Sequence, residues 1–202
     1  MLASQVSSQV AQEDQLRADM YDYLATFLSG PPTGDLIKKT VTLKSDKTEL
    51  GVGFNALARI AKTQNEKSAS SEFNALFIGV GRGELLPYAS FYLTGFLNEK
   101  PLAILRKDMA SQHITRAPNV FEPEDNIASL LEMMAGMITG RFGSPASLED
   151  QKQFFNRHIS PWAGHFFSDL EGAKNSVLYA PIGAIGRVFI EIEQEAFRMI
   201  AS

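Results

Sequence analysis

The chain contains no cysteine. That single absence removes disulfides, thiolate nucleophiles, iron–sulfur ligation and cysteine-built zinc sites. Histidine is scarce: His113, His158 and His165 are the full set. His158 and His165 could share a helical face, but Pro161 stands between them, so both read as satisfied structural residues rather than metal ligands. Long apolar runs are missing too. No stretch reaches the roughly 18 apolar residues of a membrane span, and the most apolar tail, Leu178 to Ile192, is broken by Arg187 and Glu191. Met1 to Asp14 is polar, almost without positive charge and without an apolar core, unlike a secretory signal, so a cytoplasmic protein is expected. An excess of basic residues is also lacking. Lys and Arg total 19 against 23 Asp and Glu, a net charge of −4, which disfavours nucleic acid and suits a basic partner segment. No Gly-x-Ser-x-Gly elbow, His-Glu-x-x-His pair or other nucleophile–base set occurs, so an enzymatic reading has little to stand on.

What is present is helical periodicity. The 202 residues, 45% hydrophobic, suffice for one substantial core. Leu16, Met20, Tyr23, Leu24, Phe27 and Leu28 recur at three and four, and Ser29-Gly30-Pro31-Pro32 stops that helix. Similar stripes predict helices near 35–43, 47–61, 73–77, 90–97, 101–109, 123–139 and 147–158, then one opened by Ser160-Pro161-Trp162. The last starts near Asn175, with Leu178, Ile182, Ile185, Phe189, Ile192, Ala196 and Ile200 facing inward. No segment alternates as a strand does. The expected fold is all-α, with about nine to eleven helices in two halves, 1–110 and 123–202. The segment 111–122, which loses the pattern and contains Pro118, is the expected hinge, and it allows exchange of the C-terminal half between protomers. Trp162, sharing a stripe with Phe166, is expected to be buried between the Phe154/Phe155 helix and the last helix.

Three stretches could carry chemistry. Phe121-Glu122-Pro123-Glu124-Asp125-Asn126 runs into the apolar stripe Ile127, Leu130, Leu131 and Met134. Pro123 fits a first helical turn, so these carboxylates are expected at a helix N-terminus, ionised and able to receive a cation. Acidic residues at such a place commonly do no more than stabilise the helix. Pro87, Tyr88, Phe91, Tyr92 and Phe96 form an aromatic run that reads either as core or as a groove for an apolar peptide. Gly79-Val80-Gly81-Arg82-Gly83 reads as a helix stop, since a phosphate loop would need a preceding strand.

In these blocks the chain resembles the TorD/DmsD family of redox-enzyme maturation chaperones, and most of all its TorD branch. The resemblance is carried by Phe73 through Leu97 with Glu99-Lys100-Pro101-Leu102, by Glu122-Pro123-Glu124-Asp125-Asn126, and by Phe154-Phe155, His158-Ile159-Ser160-Pro161-Trp162, Phe166 and Asp169-Leu170. It implies an all-helical cytoplasmic chaperone without catalysis or a cofactor of its own; weak guanine-nucleotide binding is implied by the resemblance alone. The partner implied is the twin-arginine leader and the body of a molybdenum- or tungsten-cofactor oxidoreductase, held from export until its cofactor is inserted. The family motif Glu-Pro-x-Asp-His falls on Glu122, Pro123, Asp125 and Asn126, with asparagine in place of histidine. With Pro87, Tyr88, Tyr92 and Arg106 these make the expected partner-peptide site, in which Asp125 and Glu122 together hold the leader's arginines. The alternatives are a small helical hydrolase or nucleotide-dependent enzyme using Glu122, Glu124 and Asp125, or a helical adaptor.

Overall fold

The computed structural model describes residues 10–118 and 120–200; the first nine residues of the polar lead lie outside them. Among the described residues ten α-helices follow one another: α1 Gln12–Leu28, α2 Gly34–Val41, α3 Glu49–Ala61, α4 Glu66–Phe73, α5 Ala89–Thr94, α6 Lys100–Ser111, α7 Ile127–Thr139, α8 Leu148–Phe154, α9 Ala163–Gly172 and α10 Tyr179–Met199. Short π-helical turns, Asn74–Ile78 and Phe155–Ile159, extend α4 and α8. Among the described residues the only strand-like feature is an isolated antiparallel bridge between Tyr88 and Asn126.

The core forms around α7. Ile127, Leu130, Leu131, Met134, Met137 and Ile138 are all buried, and so are Ala128, Met133, Ala135 and Gly136. A helix apolar on nearly every side belongs in the interior, and α1 is its most extensive partner. α9 and α10 form the other large contact, and α3 crosses α10. Backbones approach closely there: a Cβ on Gly183 of α10 would lie 2.4 Å from the Glu171 backbone nitrogen. One hydrophobic cluster runs from Ala18 to Phe197, so both halves of the chain share a single core across the irregular 112–126 segment.

Several stripes are rotated from the expected ones. α1 buries Tyr21 and Ala25, with Leu24, Phe27 and Leu28, while Leu16 is exposed. On α10 the buried face passes from Phe189 to Glu193 and Phe197, leaving Ile192 outside. One contact explains both: Arg17 and Tyr21 of α1 meet Glu193 of α10, and that polar tie fixes the rotation of both helices. The last helix also begins later than Asn175, because Glu72 anchors its start. The Glu72 carboxylate accepts the backbone N–H groups of Val177, Leu178 and Tyr179 at 2.7, 3.0 and 2.8 Å. These are the free donors of a helix N-terminus. Glu72→Ala is therefore expected to lower stability by about 1–2 kcal/mol, as loss of an N-cap does, measured by urea denaturation. An unchanged midpoint would show that water replaces the carboxylate at no cost.

Candidate functional site

The site residues gather where two distant stretches are laced together. The Ala89 N–H donates to the Asp125 carbonyl at 3.0 Å, and the Ile127 N–H to the Pro87 carbonyl at 2.8 Å. The Ser90 N–H donates to Asp125 Oδ2 at 2.8 Å, and the Ser90 hydroxyl donates to the same oxygen. Asp125 thus caps α5 from another part of the chain. Asn126 caps α7, its Oδ1 accepting the Ala128 N–H at 2.9 Å. Capping needs only an acceptor, which asparagine supplies without a titrating ring.

This geometry corrects the sequence reading at the helix start. α7 begins at Ile127, so Pro123 sits in a tight turn before it, closed by the Asn126 N–H on the Pro123 carbonyl at 3.1 Å. No acidic residue lies in the first turn of α7. The carboxylates also diverge. Glu124 is buried and paired with Arg106, whose Nε and Nη2 lie 3.1 and 2.8 Å from Oε2, and with Arg116 at 3.6 Å. Burial alone would push its carboxyl up, but these arginines hold it below the ordinary range. Asp125 is 1% exposed and Glu122 lies on the surface. Asp125 and Glu122 line different cavities. Glu122 and Glu124 line one cavity, in which Glu124 is held by two arginines, and Asp125 lines another.

Other expected site residues also have structural partners. Arg106 is tied to Glu124. Tyr92 donates its hydroxyl to Asp169 at 2.9 Å and packs on Trp162, with ring centroids 5.2 Å apart; burial and Asp169 together push its ionisation far up. The aromatic run splits: Pro87 and Tyr88 line a groove, whereas Phe96 is 70% exposed. Gly79 and Gly81 adopt positive φ, as a helix stop requires, and Arg82 lies 5.2 Å over the Phe91 ring.

The groove itself has two connected lobes. One, about 380 Å³, is walled by Leu28, Pro31, Phe73, Phe77, Pro87 and Tyr88. The other, about 570 Å³, includes Met109, Ile114, Phe142, Arg116 and Arg141. Val120, Glu122, Ser129 and Glu132 belong to both walls. The charges pair off selectively. Arg141 holds Asp22 through both guanidinium branches, and Arg116 holds Glu124 and the carbonyls of Phe121 and Glu122. Among the described residues the side-chain carboxylates of Glu122 and Glu132 are left without a hydrogen-bonded or ionic partner, at the junction of the lobes. Partial desolvation pushes both carboxyls above the ordinary range; for Glu132 the Asp22 charge adds to it, while Arg141 opposes it. Glu132 went unnoticed in the sequence because one glutamate on an apolar helix looks like a solvent-facing position.

The site is thus a laced acidic turn beside a mixed apolar–anionic groove on an all-helical fold. Comparison with known proteins makes the assignment specific. The family model described as nitrate reductase delta subunit matches residues 44–168, well over half of the chain. The chain belongs to this family, that of the TorD-type redox-enzyme maturation chaperones. It is 26% identical to the chaperone protein TorD of Vibrio atlanticus, over 90% of this chain and 94% of that one. It is also 26% identical to TorD of Vibrio cholerae serotype O1 (El Tor Inaba), over 94% and 86%. In fold it matches a structure described as a redox enzyme maturation protein from Archaeoglobus fulgidus, with a TM-score of 0.55 at 19% identity, covering 94% of this chain and 99% of the other. Among the described residues no helix is long and apolar enough to cross a membrane.

Proposed function

We propose that this protein is a chaperone that binds the twin-arginine leader, and the apo form, of a molybdenum- or tungsten-cofactor oxidoreductase, delaying export until the cofactor is in place. One observation carries the reading: Glu122 and Glu132, without partners, stand over a groove whose neighbouring lobe is aromatic and aliphatic. A twin-arginine leader combines two guanidinium groups with an apolar stretch. Carboxylates suit guanidinium groups through paired N–H donation. The apolar lobe, with Phe77, Pro87 and Tyr88, suits the leader's apolar part. The family membership and the TorD relatives support the same role.

The test is calorimetric titration of a twin-arginine leader peptide and its Lys-Lys version into wild type, Glu122→Gln, Glu132→Gln and the double variant. A hydrogen bond to a charged group contributes about 1.5–3 kcal/mol, so each single change should weaken binding by about tenfold or more. Lys-Lys should bind less tightly than Arg-Arg to wild type. Stability should move the other way. A carboxyl whose folded pKa is raised by desolvation destabilises the fold increasingly as pH rises above its unfolded-state value, so at neutral pH Glu132→Gln is expected to raise the melting temperature. A double variant that binds the leader as well as wild type does would overturn the reading.

A further inference from the structure

The groove carries an arginine of its own in a pose that a ligand would adopt. Of the two arginines in its walls, Arg116 divides its donors between Glu124 and two backbone carbonyls. Arg141 instead turns both branches on one carboxylate: Nη1 donates to Asp22 Oδ1 at 2.9 Å, and Nη2 donates to Oδ2. This is the fork-on-fork pairing by which a carboxylate receives an incoming guanidinium. The pair is open to solvent, with 46% of the Arg141 side chain and 33% of Asp22 exposed. As a tie between α1 and α7 it is redundant, because those helices already share the most extensive contact of the core. A half-exposed ion pair adds little to such packing.

The backbone under Arg141 is anchored, whereas its arm is not. The Arg141 N–H donates to the Gly136 carbonyl at 2.9 Å, and the Phe142 ring packs where a Cβ on Gly136 would sit. Only the long side chain therefore has to move for the pair to open. Three carboxylates act on that side chain: Asp22 and Asp19 of α1, and Glu132 of α7. The bond to Asp22 holds the guanidinium above its ordinary pKa against partial desolvation, and Glu132 and Asp19 add to it. Asp19 lies one helical turn before Asp22, exposed, with a bond from Gln15 Nε2 at 2.7 Å. An arm released from Asp22 thus has a second carboxylate within its field and leaves no charge stranded. Asp22 itself lies in the same wall as Glu132, whose side chain is unpaired.

We propose that Arg141 is a built-in competitor of the groove: it occupies a guanidinium seat on Asp22, and a guanidinium of the bound segment takes that seat while Arg141 moves toward Asp19. The identity of the segment rests on the leader binding proposed above, whereas the seat does not. In the free protein this contact covers part of the anionic wall. An ammonium group cannot reproduce the two-branched bond, so a lysine leaves Arg141 in place. The groove is thereby closed to ordinary basic segments by an internal contact rather than by lack of negative charge.

Two sets of measurements test this. In calorimetric titration, Arg141→Gln should bind the twin-arginine leader about fivefold more tightly than wild type, the upper range for a half-exposed ion pair. Lys62→Gln removes the same charge at the exposed end of α3, outside the groove walls. Its affinity should stay within about twofold of wild type at physiological salt. The side-chain N–H signals of Arg141 in wild type should lose their protection as the leader saturates. The seat is tested without the leader in Arg141→Ala, with ethylguanidinium and ethylammonium as probes followed by amide NMR shifts at Asp22 and Glu132. Ethylguanidinium should bind there at least about fivefold more tightly than ethylammonium. Wild type should take neither probe at Asp22, and adding Asp22→Asn to Arg141→Ala should abolish the difference. The proposal is overturned if Arg141→Gln gains no more than Lys62→Gln, if the Arg141 signals stay unchanged at leader saturation, or if Arg141→Ala does not distinguish the probes. Should wild type fail to bind the leader while Arg141→Ala takes ethylguanidinium at Asp22, the leader reading falls and the seat stands.

Discussion

Glu193→Ala should cost about 3 kcal/mol of stability, the low end of the loss expected when one partner of a buried ion pair is removed, because Glu193 is buried and Arg17 only partly so. Glu193 is 1% exposed on α10, opposite α1. Its two carboxylate oxygens accept from Arg17 Nε at 2.9 Å and Nη2 at 2.8 Å, and Oε2 also accepts the Tyr21 hydroxyl at 2.9 Å. Burial works against the Arg17 charge, but the bonds to Glu193 outweigh it and hold the guanidinium above its ordinary pKa. Tyr21 is pushed up as well, by burial first and then by the neighbouring carboxylate. Removing that carboxylate strands a buried phenol and leaves Arg17 only Asp14 at 2.8 Å and a long contact to Gln151 at 3.4 Å. The cost is that of unpaired groups rather than of a lost attraction, so the second partner matters. Arg17→Met combined with Glu193→Leu should be far less harmful than the two single changes together, giving a clear coupling energy in a double-mutant cycle. Guanidinium denaturation with unchanged slope measures each variant. A loss below about 1 kcal/mol for Glu193→Ala would place the pair with ordinary surface ion pairs.

That contact also marks where the sequence stops being legible. Helix periodicity identified the all-α fold and the buried stripe of α7, because the spacing of apolar side chains is a local property. Local caps are of the same kind: Ser147 caps α8 by accepting the Asp150 N–H at 3.1 Å, a donor and acceptor only three residues apart. Arg17 and Glu193 are 176 positions apart, Glu72 and Tyr179 are 107 apart, and Ser90 and Asp125 are 35 apart. No periodicity announces such pairs, yet they set the rotation of α1 and α10, the start of α10 and the direction in which Asp125 points.

At the site the same division holds. The Glu122–Asn126 turn, Pro87 and Tyr88 could be singled out from residue type, and Glu122, Asn126, Pro87 and Tyr88 do line one lobe of the groove. Which carboxylates remain available could not be read, because availability depends on arginines elsewhere. Arg106 and Arg116 take Glu124, Arg141 takes Asp22, and what they leave over is Glu122 with Glu132. The anionic charge left over in the groove is thus a remainder after internal pairing, a quantity that net charge does not report.

Trp162→Ala should also cost about 3–5 kcal/mol, the range for truncating a large buried aromatic. The indole is 1% exposed, its Nε1 donates to the His158 carbonyl at 2.8 Å, and its ring lies 5.2 Å from Tyr92 and 6.0 Å from Phe166. Its aromatic neighbours differ from those expected between the Phe154/Phe155 helix and the last helix: it joins the π-helical turn at His158 to α5 through Tyr92. Trp162→Phe keeps most of the packing and loses the indole hydrogen bond, so a smaller cost of about 1–2 kcal/mol is expected. As the chain has one tryptophan, its fluorescence reports this position alone. Emission should be blue-shifted and protected from iodide in the native protein, moving red on unfolding. Because Tyr92 lies in α5, whose N-terminus Asp125 caps, Trp162→Ala should also loosen the Ser90–Asp125 clamp. Faster hydrogen exchange of the Ser90 amide would register that loosening. Slow exchange at Ser90 beside a large stability loss would show instead that the indole supports only the α8–α9 corner.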